Sequence, residues 1–454
     1  MAKKKQQLFE CQACGFQSAV ELGKCPNCGT WGEFLELTQD QIDTLKLTAK
    51  SSTNSKSSQS GAKSITQIED ESVERFSSNN EELDLVLGGG IVEGSLTLIG
   101  GSPGVGKSTL LLKIGGNLAK IGKNVLYVSG EESAGQIKLR AGRLNSLQEN
   151  LYLLCEINLD AILHELSLKK FDVLIIDSIQ TLYSEKISSA PGSVSQVREI
   201  TFELMRYAKD KNVAVFIIGH ITKEGSIAGP RILEHMVDTV LYFEGDSNRE
   251  LRILRGFKNR FGSTSEVGIF EMTKSGLESA KDISKKFFTR NDSQAGSAIT
   301  VVMEGSRPIV LEVQALLSES TYPNPKRAST GYELNRLTML LALLERKLDL
   351  PLNRYDVFIN IAGGIKITET AADVAIIAAI ISSFRNRPLS KDTVFIGEVS
   401  LIGDIRDVFQ LDSRLKEAKT QHFKKAIVPS RPLESVEGIK CFAVSEVAKV
   451  IDWM

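Results

Sequence analysis

The run Gly101-Ser102-Pro103-Gly104-Val105-Gly106-Lys107-Ser108-Thr109 places glycines, an amine and hydroxyls at the spacing Gly-x-x-x-x-Gly-Lys-Ser. Glycines let backbone N–H groups wrap an anion, a lysine in this position reaches β- and γ-phosphates, and the serine is a Mg²⁺ ligand. The chemistry implied is binding of a nucleoside triphosphate, with ATP the default; a structural glycine turn with the same letters is the alternative. Hydrolysis needs more than Lys107. Asp177, closing the apolar run Asp172-Val-Leu-Ile-Ile-Asp177, is read as the Mg²⁺-holding carboxylate beside Ser108, against the plainer role of a helix cap. Glu131 in Tyr127-Val-Ser-Gly-Glu131-Glu132 is read as the carboxylate that orients the attacking water, with Glu132 the fallback. His220, closing Asn212-Val-Ala-Val-Phe-Ile-Ile-Gly-His220 just before Thr222 and Lys223, is either a γ-phosphate sensor or an ordinary hydrogen-bonded histidine.

A second constellation is made of thiols. Cys11-Gln-Ala-Cys14-Gly15 and Cys25-Pro-Asn-Cys28-Gly29 are matching knuckles, each with a glycine able to take the backbone angles such a turn demands. Four thiolates close a Zn²⁺ tetrahedron with no open position for a catalytic water, so the site is expected to be structural; a redox pair or another metal is the alternative. A unit this small needs the metal to fold. Cys155 and Cys441 stand apart in apolar surroundings and are read as buried thiols.

The third feature is charge. Between Arg249 and Arg260 five basic residues (Arg249, Arg252, Arg255, Lys258, Arg260) meet one acid, Glu250, and the span ends in Lys258-Asn259-Arg260-Phe261-Gly262. Two cations, an amide and an aromatic on a glycine-ended loop suit a phosphate backbone or a neighbouring subunit's ATP site. A solvated strand edge is the bland reading.

The elements that must position these residues are legible in outline. SLTLIG, NVLYVSG, DVLIIDS and NVAVFIIGH are short β-branched runs separated by amphipathic helical stretches, the pattern of parallel βαβ units with buried strands. A Ser-rich polar stretch near 48–64 reads as a tether, and new strand-like runs from 286 onward open a further α/β region with a helix near Leu334 to Leu348. The expected organisation is a ribbon at 1–35, a linker at 36–64, an ATPase domain at 65–285 and a C-terminal domain at 286–454. A length of 454 residues calls for several cores, and 42% hydrophobic with 24% charged residues is ordinary for soluble globular protein. A formal net charge of −1 excludes a general DNA coat, so any nucleic-acid contact must be local. The basic start lacks a signal-peptide core and no long uncharged apolar stretch follows, so a cytoplasmic protein without membrane contact is expected.

With Glu81-Glu-Leu-Asp84, Gly88-Gly-Gly90, Gly94-Ser95 and a GH-x-T-K-E-G segment at 219–225 ahead of KNRFG, the chain resembles the bacterial RadA (Sms) family of DNA-repair proteins over essentially its whole length. The resemblance implies an α/β fold: a zinc ribbon, a RecA-like P-loop ATPase core and an α+β Lon-protease-like C-terminal domain. It implies a homo-hexameric, DnaB-like ring that hydrolyses ATP with Mg²⁺, binds single-stranded and branched DNA, and assists branch migration of intermediates made with a RecA-type recombinase. Lys107 would support nucleotide binding, and Lys258 and Arg260 would act in the DNA channel or across the subunit interface.

A Lon-like domain raises the question of a Ser-Lys peptidase. Lining up the chain after the expected nucleophile puts Ala371 in the serine position and Asp412 in the lysine position, so no acyl step is available. Gly363-Gly364, Asp373 and Gly397-Glu398 then read as scaffold. Arg385, Arg387, Arg406, Arg414 and Lys416 offer a second DNA surface or a solvated face. Two competing functions remain: a KaiC-like, nucleotide-switched assembly factor, opposed by the ribbon and KNRFG, and an ATP-dependent protease, opposed by Ala371 and Asp412.

Overall fold

The computed structural model describes residues 9–11, 17–18, 20, 22–27, 29–32, 34–37, 74–220, 233–245, 251–273, 275–280, 284, 287–288, 294–430 and 437–453. Cys14, Cys28, Thr222, Lys223, Arg249, Glu250 and nearly all of the expected linker lie outside them. The chain divides into two compact units, Met1–Ser279 and Ala280–Met454.

At the amino end, β1 (Phe9–Cys11) pairs antiparallel with β2 (Gln17–Ser18) and β3 (Phe34–Glu36), so the three-stranded ribbon sheet passes residue 35. A short pair, β4 (Arg75–Phe76) and β5 (Ile91–Val92), brackets helix α1 (Glu81–Leu87), which Asn80 caps and Gly88 ends at φ 82°.

The main sheet of this unit contains β6 (Leu96–Gly101), β7 (Val125–Ser129), β8 (Leu151–Leu154), β9 (Val173–Asp177), β10 (Ala214–His220), β11 (Thr239–Glu244), β12 (Leu251–Asn259), β13 (Val267–Thr273) and β14 (Gly276–Ser279). Its order is β14-β13-β12-β11-β6-β10-β9-β7-β8. The strands from β11 to β8 are parallel, while β12, β13 and β14 extend the sheet as an antiparallel meander. Helices α2 (Lys107–Lys120), α3 (Ala134–Arg143), α4 (Leu159–Leu168) and α5 (Val194–Lys211) make the crossovers.

The unbroken apolar runs have a direct cause. On β9, Val173 and Ile175 enter the core that contains α2, whereas Leu174 and Ile176 enter the core that contains α4 and α5. A strand covered on both faces has no polar face to alternate. Each fully buried Val, Leu or Ile contributes roughly 1.5–3 kcal/mol, so the mid-strand residues hold the sheet and leave the strand ends free to carry acids.

The carboxy-terminal unit is built on a second mixed sheet of β15 (Ser297–Glu304), β16 (Arg307–Glu319), β17 (Arg327–Thr330), β18 (Tyr355–Ile361), β19 (Thr393–Phe395), β22 (Lys425–Pro429) and β23 (Lys440–Val444), ordered β17-β18-β16-β15-β19-β22-β23; β20 (Glu398–Val399) and β21 (Ile405–Arg406) form a separate pair. Helices α6 (Leu334–Leu348), α7 (Asp373–Arg385) and α8 (Leu411–Thr420) pack with it. Asp373, fully buried, accepts hydrogen bonds from the Tyr332 hydroxyl at 2.6 Å and Val399 N–H at 3.0 Å and pairs with Arg336. Burial nevertheless pushes its carboxyl above the usual range.

Three sequence readings are corrected. Cys155 is exposed and Cys441 only partly buried. The basic span from Leu251 onward is not a loop but the strand β12, and Arg252 is buried. Arg414 belongs to no surface: it is fully buried, with its guanidinium bidentate to Glu369 at 2.6 Å on both oxygens and donating to Val301 O (2.7 Å) and Phe409 O (2.9 Å). Arg385, Arg387, Arg406 and Lys416 are exposed.

Removing one partner of a buried ion pair strands the other. Arg414→Ala is therefore expected to destabilise the C-terminal unit by about 3–5 kcal/mol, read as a lowered urea midpoint. A change within about 0.5 kcal/mol, typical of a surface substitution, would contradict this placement.

Candidate nucleotide-binding site

β6 runs straight into the glycine-rich loop, and α2 begins at Lys107. Gly101 is required by crowding: a Cβ there would lie 2.4 Å from the Phe243 carbonyl oxygen of the neighbouring β11. Gly104 and Gly106 take φ of 76° and 114°, in the left-handed region that glycine enters without strain. Pro103 and Gly104 are exposed at the crown, Val105 turns inward, and Ser102, Ser108 and Thr109 are half-buried. Gly106 has no side chain to cap α2, so the first N–H groups of the helix remain for an anion. The loop and helix start therefore fit a phosphate chain.

Lys107 is 4% exposed and its ammonium donates to the carbonyls of Gly101 (2.8 Å) and Ser102 (3.0 Å), lying across the loop from which the helix starts. Burial lowers its pKa to about 8, against the opposing pull of Asp177 and Glu131.

Asp177 closes β9, which β10 separates from β6. Its carboxylate accepts from the Tyr127 hydroxyl at 2.5 Å and from Ser108, and burial raises its pKa despite both bonds. Ser108 and Asp177, in contact, are a hydroxyl and a carboxylate of the kind Mg²⁺ takes. Glu131, at the end of β7, accepts from Ser178 Oγ at 2.7 Å, one residue past Asp177. Glu132 turns away into an ion pair with Arg140, at 2.5 and 2.7 Å. The geometry thus separates two acids that the sequence left in competition, and Glu131 is the one beside Lys107 and Asp177. The backbone of His220 lies in register with Gly101 at the end of β10.

The KNRFG segment ends β12 and the turn after it. Lys258 is not free to reach outward, because its ammonium donates to the carbonyls of Glu234 (2.8 Å), His235 (3.3 Å) and Val237 (2.7 Å). Burial, then Arg260, lowers its pKa. Asn259 ties the turn together, accepting from Phe261 N–H at 2.9 Å and donating to Val86 O at 3.3 Å. Gly262 lies so close to Gly88 that a Cβ on it would meet Gly88 Cα at 2.9 Å. Arg260 is more exposed and pairs with Asp238 at 3.3 Å.

Sequence reading missed several residues here. Asp238, 3% exposed, also accepts from Leu96 N–H (3.1 Å) and Lys209 (2.9 Å). Arg75 donates to Gly88 O and to Phe261 O, the latter at 2.5 Å. Phe257 stands 59% exposed beside Lys258. No motif marks these positions; only strand alternation along β12 set Arg252 apart from its neighbours.

In the ribbon, Cys11 and Cys25 are buried against Phe34. Gly29 N–H donates to Cys25 O at 2.9 Å with φ 77°, the tight turn expected of a knuckle. Buried thiols on such a turn fit a thiolate metal site; Cys14 and Cys28 are outside the described residues.

Fold and site together define a P-loop nucleotide-binding protein with a RecA-like α/β core, an N-terminal zinc ribbon and a Lon-protease-like α+β C-terminal domain. Residues 62–226 match the family model described as AAA domain, 9–36 that of a rubredoxin metal binding domain, and 337–432 that of subunit ChlI of Mg-chelatase. The chain is 66% identical to DNA repair protein RadA of Campylobacter jejuni over 100% of both chains. It is 58% identical to the Helicobacter pylori protein of that name over 99% of this chain and 100% of the other, and 47% identical to that of Streptococcus pyogenes over 100% and 99%. The chain belongs to the RadA family of DNA repair proteins.

The lowered Lys107 pKa has a measurable consequence. Phosphates favour the ammonium, so the bound pKa lies above about 8. Affinity for ATP is then fully present below that pH and falls as pH rises through it, with proton uptake on binding. At pH 8.5, calorimetry in two buffers of different ionisation enthalpy is expected to show net proton uptake on ATP binding, abolished in Lys107→Arg. Identical heats in the two buffers would refute it.

Proposed function

We propose that this chain is a DNA-dependent ATPase of recombinational repair, working as a hexameric, DnaB-like motor that promotes branch migration on single-stranded DNA. Membership of the RadA family and an AAA domain whose loop fits a phosphate chain support ATP hydrolysis. Glu131 orients the attacking water, Lys107 neutralises the β- and γ-phosphates, Ser108 and Asp177 hold Mg²⁺, and Cys11, Cys14, Cys25 and Cys28 hold Zn²⁺. His220, the residue that ends β10, acts in this reading as the γ-phosphate sensor.

The observation that carries the coupling to DNA is adjacency within one sheet. β11 pairs with β6, the strand of the glycine loop, and β12, which bears KNRFG, pairs with β11. Within KNRFG, Lys258 is engaged by three carbonyls and holds the turn, whereas Arg260 is itself exposed and its partner, the buried Asp238, also accepts from Leu96 N–H and Lys209, so Arg260 can leave it for a phosphate on DNA or on a neighbouring subunit's ATP. In the C-terminal domain Ala371 is buried and bears no hydroxyl, and Asp412 opens α8. That supports an assembly role rather than peptidase activity.

Among the described residues no helix is long and apolar enough to cross a membrane. We place the protein in the cytoplasm, with a RecA-type recombinase as partner.

Steady-state ATP hydrolysis is expected to rise severalfold with single-stranded DNA, to lose that stimulation as salt increases, and to vanish in Lys107→Ala. Arg260→Ala is expected to lose the stimulation. Turnover indifferent to DNA at low salt would remove this reading in favour of a nucleotide-switched protein assembly factor.

A further inference from the structure

Arg252 lies in the basic span that the sequence offers to nucleic acid, yet only 4% of it is exposed. A buried guanidinium is costly unless its donors are used. Its Nε donates to the carbonyl of Val105 at 3.0 Å, in the middle of the glycine-rich loop, and one terminal nitrogen donates to Leu251 O at 2.9 Å. The approach is close enough to dictate a neighbour: a Cβ on Gly245 would lie 2.3 Å from Arg252 Cδ and 3.0 Å from Nε.

The Val105 carbonyl shares a peptide plane with the N–H of Gly106. That bond is trans, so the two groups lie in the plane and point in opposite directions. Gly106 sits at φ 114°, where rotation of the adjoining peptide is little hindered by side-chain sterics. Something must choose its orientation, and the bond from Arg252 does so.

We propose that Arg252 is a positioning residue for the phosphate cradle: it anchors the Val105–Gly106 peptide so that the Gly106 N–H faces the bound phosphates, and it does this from the strand that ends in KNRFG. The proposal rests on the reading of residues 101–109 as the phosphate site. It sets Arg252 apart from Arg260, which faces outward, and assigns it to nucleotide rather than DNA.

The test uses the full-length protein and four variants: Arg252→Met, Arg252→Lys, Gly245→Ala and Lys107→Ala. The first removes the donor, the second keeps one, and the third displaces the guanidinium without deleting it. Because the peptide N–H binds ground state and transition state alike, Arg252→Met and Gly245→Ala are expected to raise KM for ATP, and Kd for ADP, about tenfold with kcat within about twofold. Arg252→Lys is expected to recover part of the loss. Melting temperatures taken beside the kinetics separate folding from positioning, and Gly245→Ala and Arg252→Lys keep the question open to an answer if Arg252→Met does not fold. Wild-type KM and Kd in folded Gly245→Ala and Arg252→Met, with Lys107→Ala inactive, would overturn the proposal while leaving the phosphate site standing. Native nucleotide binding by Lys107→Ala would remove the site itself, and the proposal with it.

Discussion

An amine taken out of water must be compensated, and the Lys107 ammonium is compensated by two loop carbonyls and two nearby acids. That arrangement organises the N-terminal unit. The loop must curl back far enough to offer the carbonyls of Gly101 and Ser102, which requires glycine at its sharp positions. The acids must stand at strand ends on the same side of the sheet, which requires parallel strands. The parallel strands require helices on both faces, and those helices produce the two cores that flank β6, β7, β9 and β10. Phosphates arriving at the helix start meet an ammonium already held near them and N–H groups with no side-chain cap.

The same logic explains why the strands on the other side of β6, β11 and the antiparallel meander beyond it, matter. β11 lies directly against β6 and crowds Gly101 through the Phe243 carbonyl, while β12 sends Arg252 to the loop at one end and carries Lys258 and Asn259 at the other. Gly262 in turn rests on Gly88 at the end of α1, clasped by Arg75. A rigid strand thus joins a turn suited to phosphate backbones to the loop that cradles nucleotide. Asp238 braces this junction from beneath, bonded to the start of β6 and to Arg260.

Much of this was legible in the residues. The four buried strands, the glycine loop and the cysteine knuckles announce themselves, because each depends on local composition: β-branched runs, positive-φ glycines, paired thiols. What resisted reading depends on distant partners. Glu131 and Glu132 stand side by side in the sequence, with Glu131 preferred, and their different partners, Ser178 and Arg140, emerge only in the fold. Arg252 reads as one more charge until pleating buries it. Arg414 is a different lesson, for Leu411, Arg414, Leu415 and Ala418 form a helical stripe of one buried face, and the charge of the arginine obscured a period that was there to see. Cys155 carried no comparable signal.

We propose that the ends of β6, β7 and β9 form one hydrolytic site, with Glu131 aiming the water. This proposal is tested most directly by single-turnover ATP hydrolysis in Glu131→Gln and Glu132→Gln, each with nucleotide affinity measured alongside. Glu131→Gln is expected to bind ATP like the wild type and to hydrolyse it about 10²–10⁴-fold more slowly, while Glu132→Gln keeps most of its rate. Rapid turnover in Glu131→Gln, with the loss falling on Glu132→Gln instead, would contradict it.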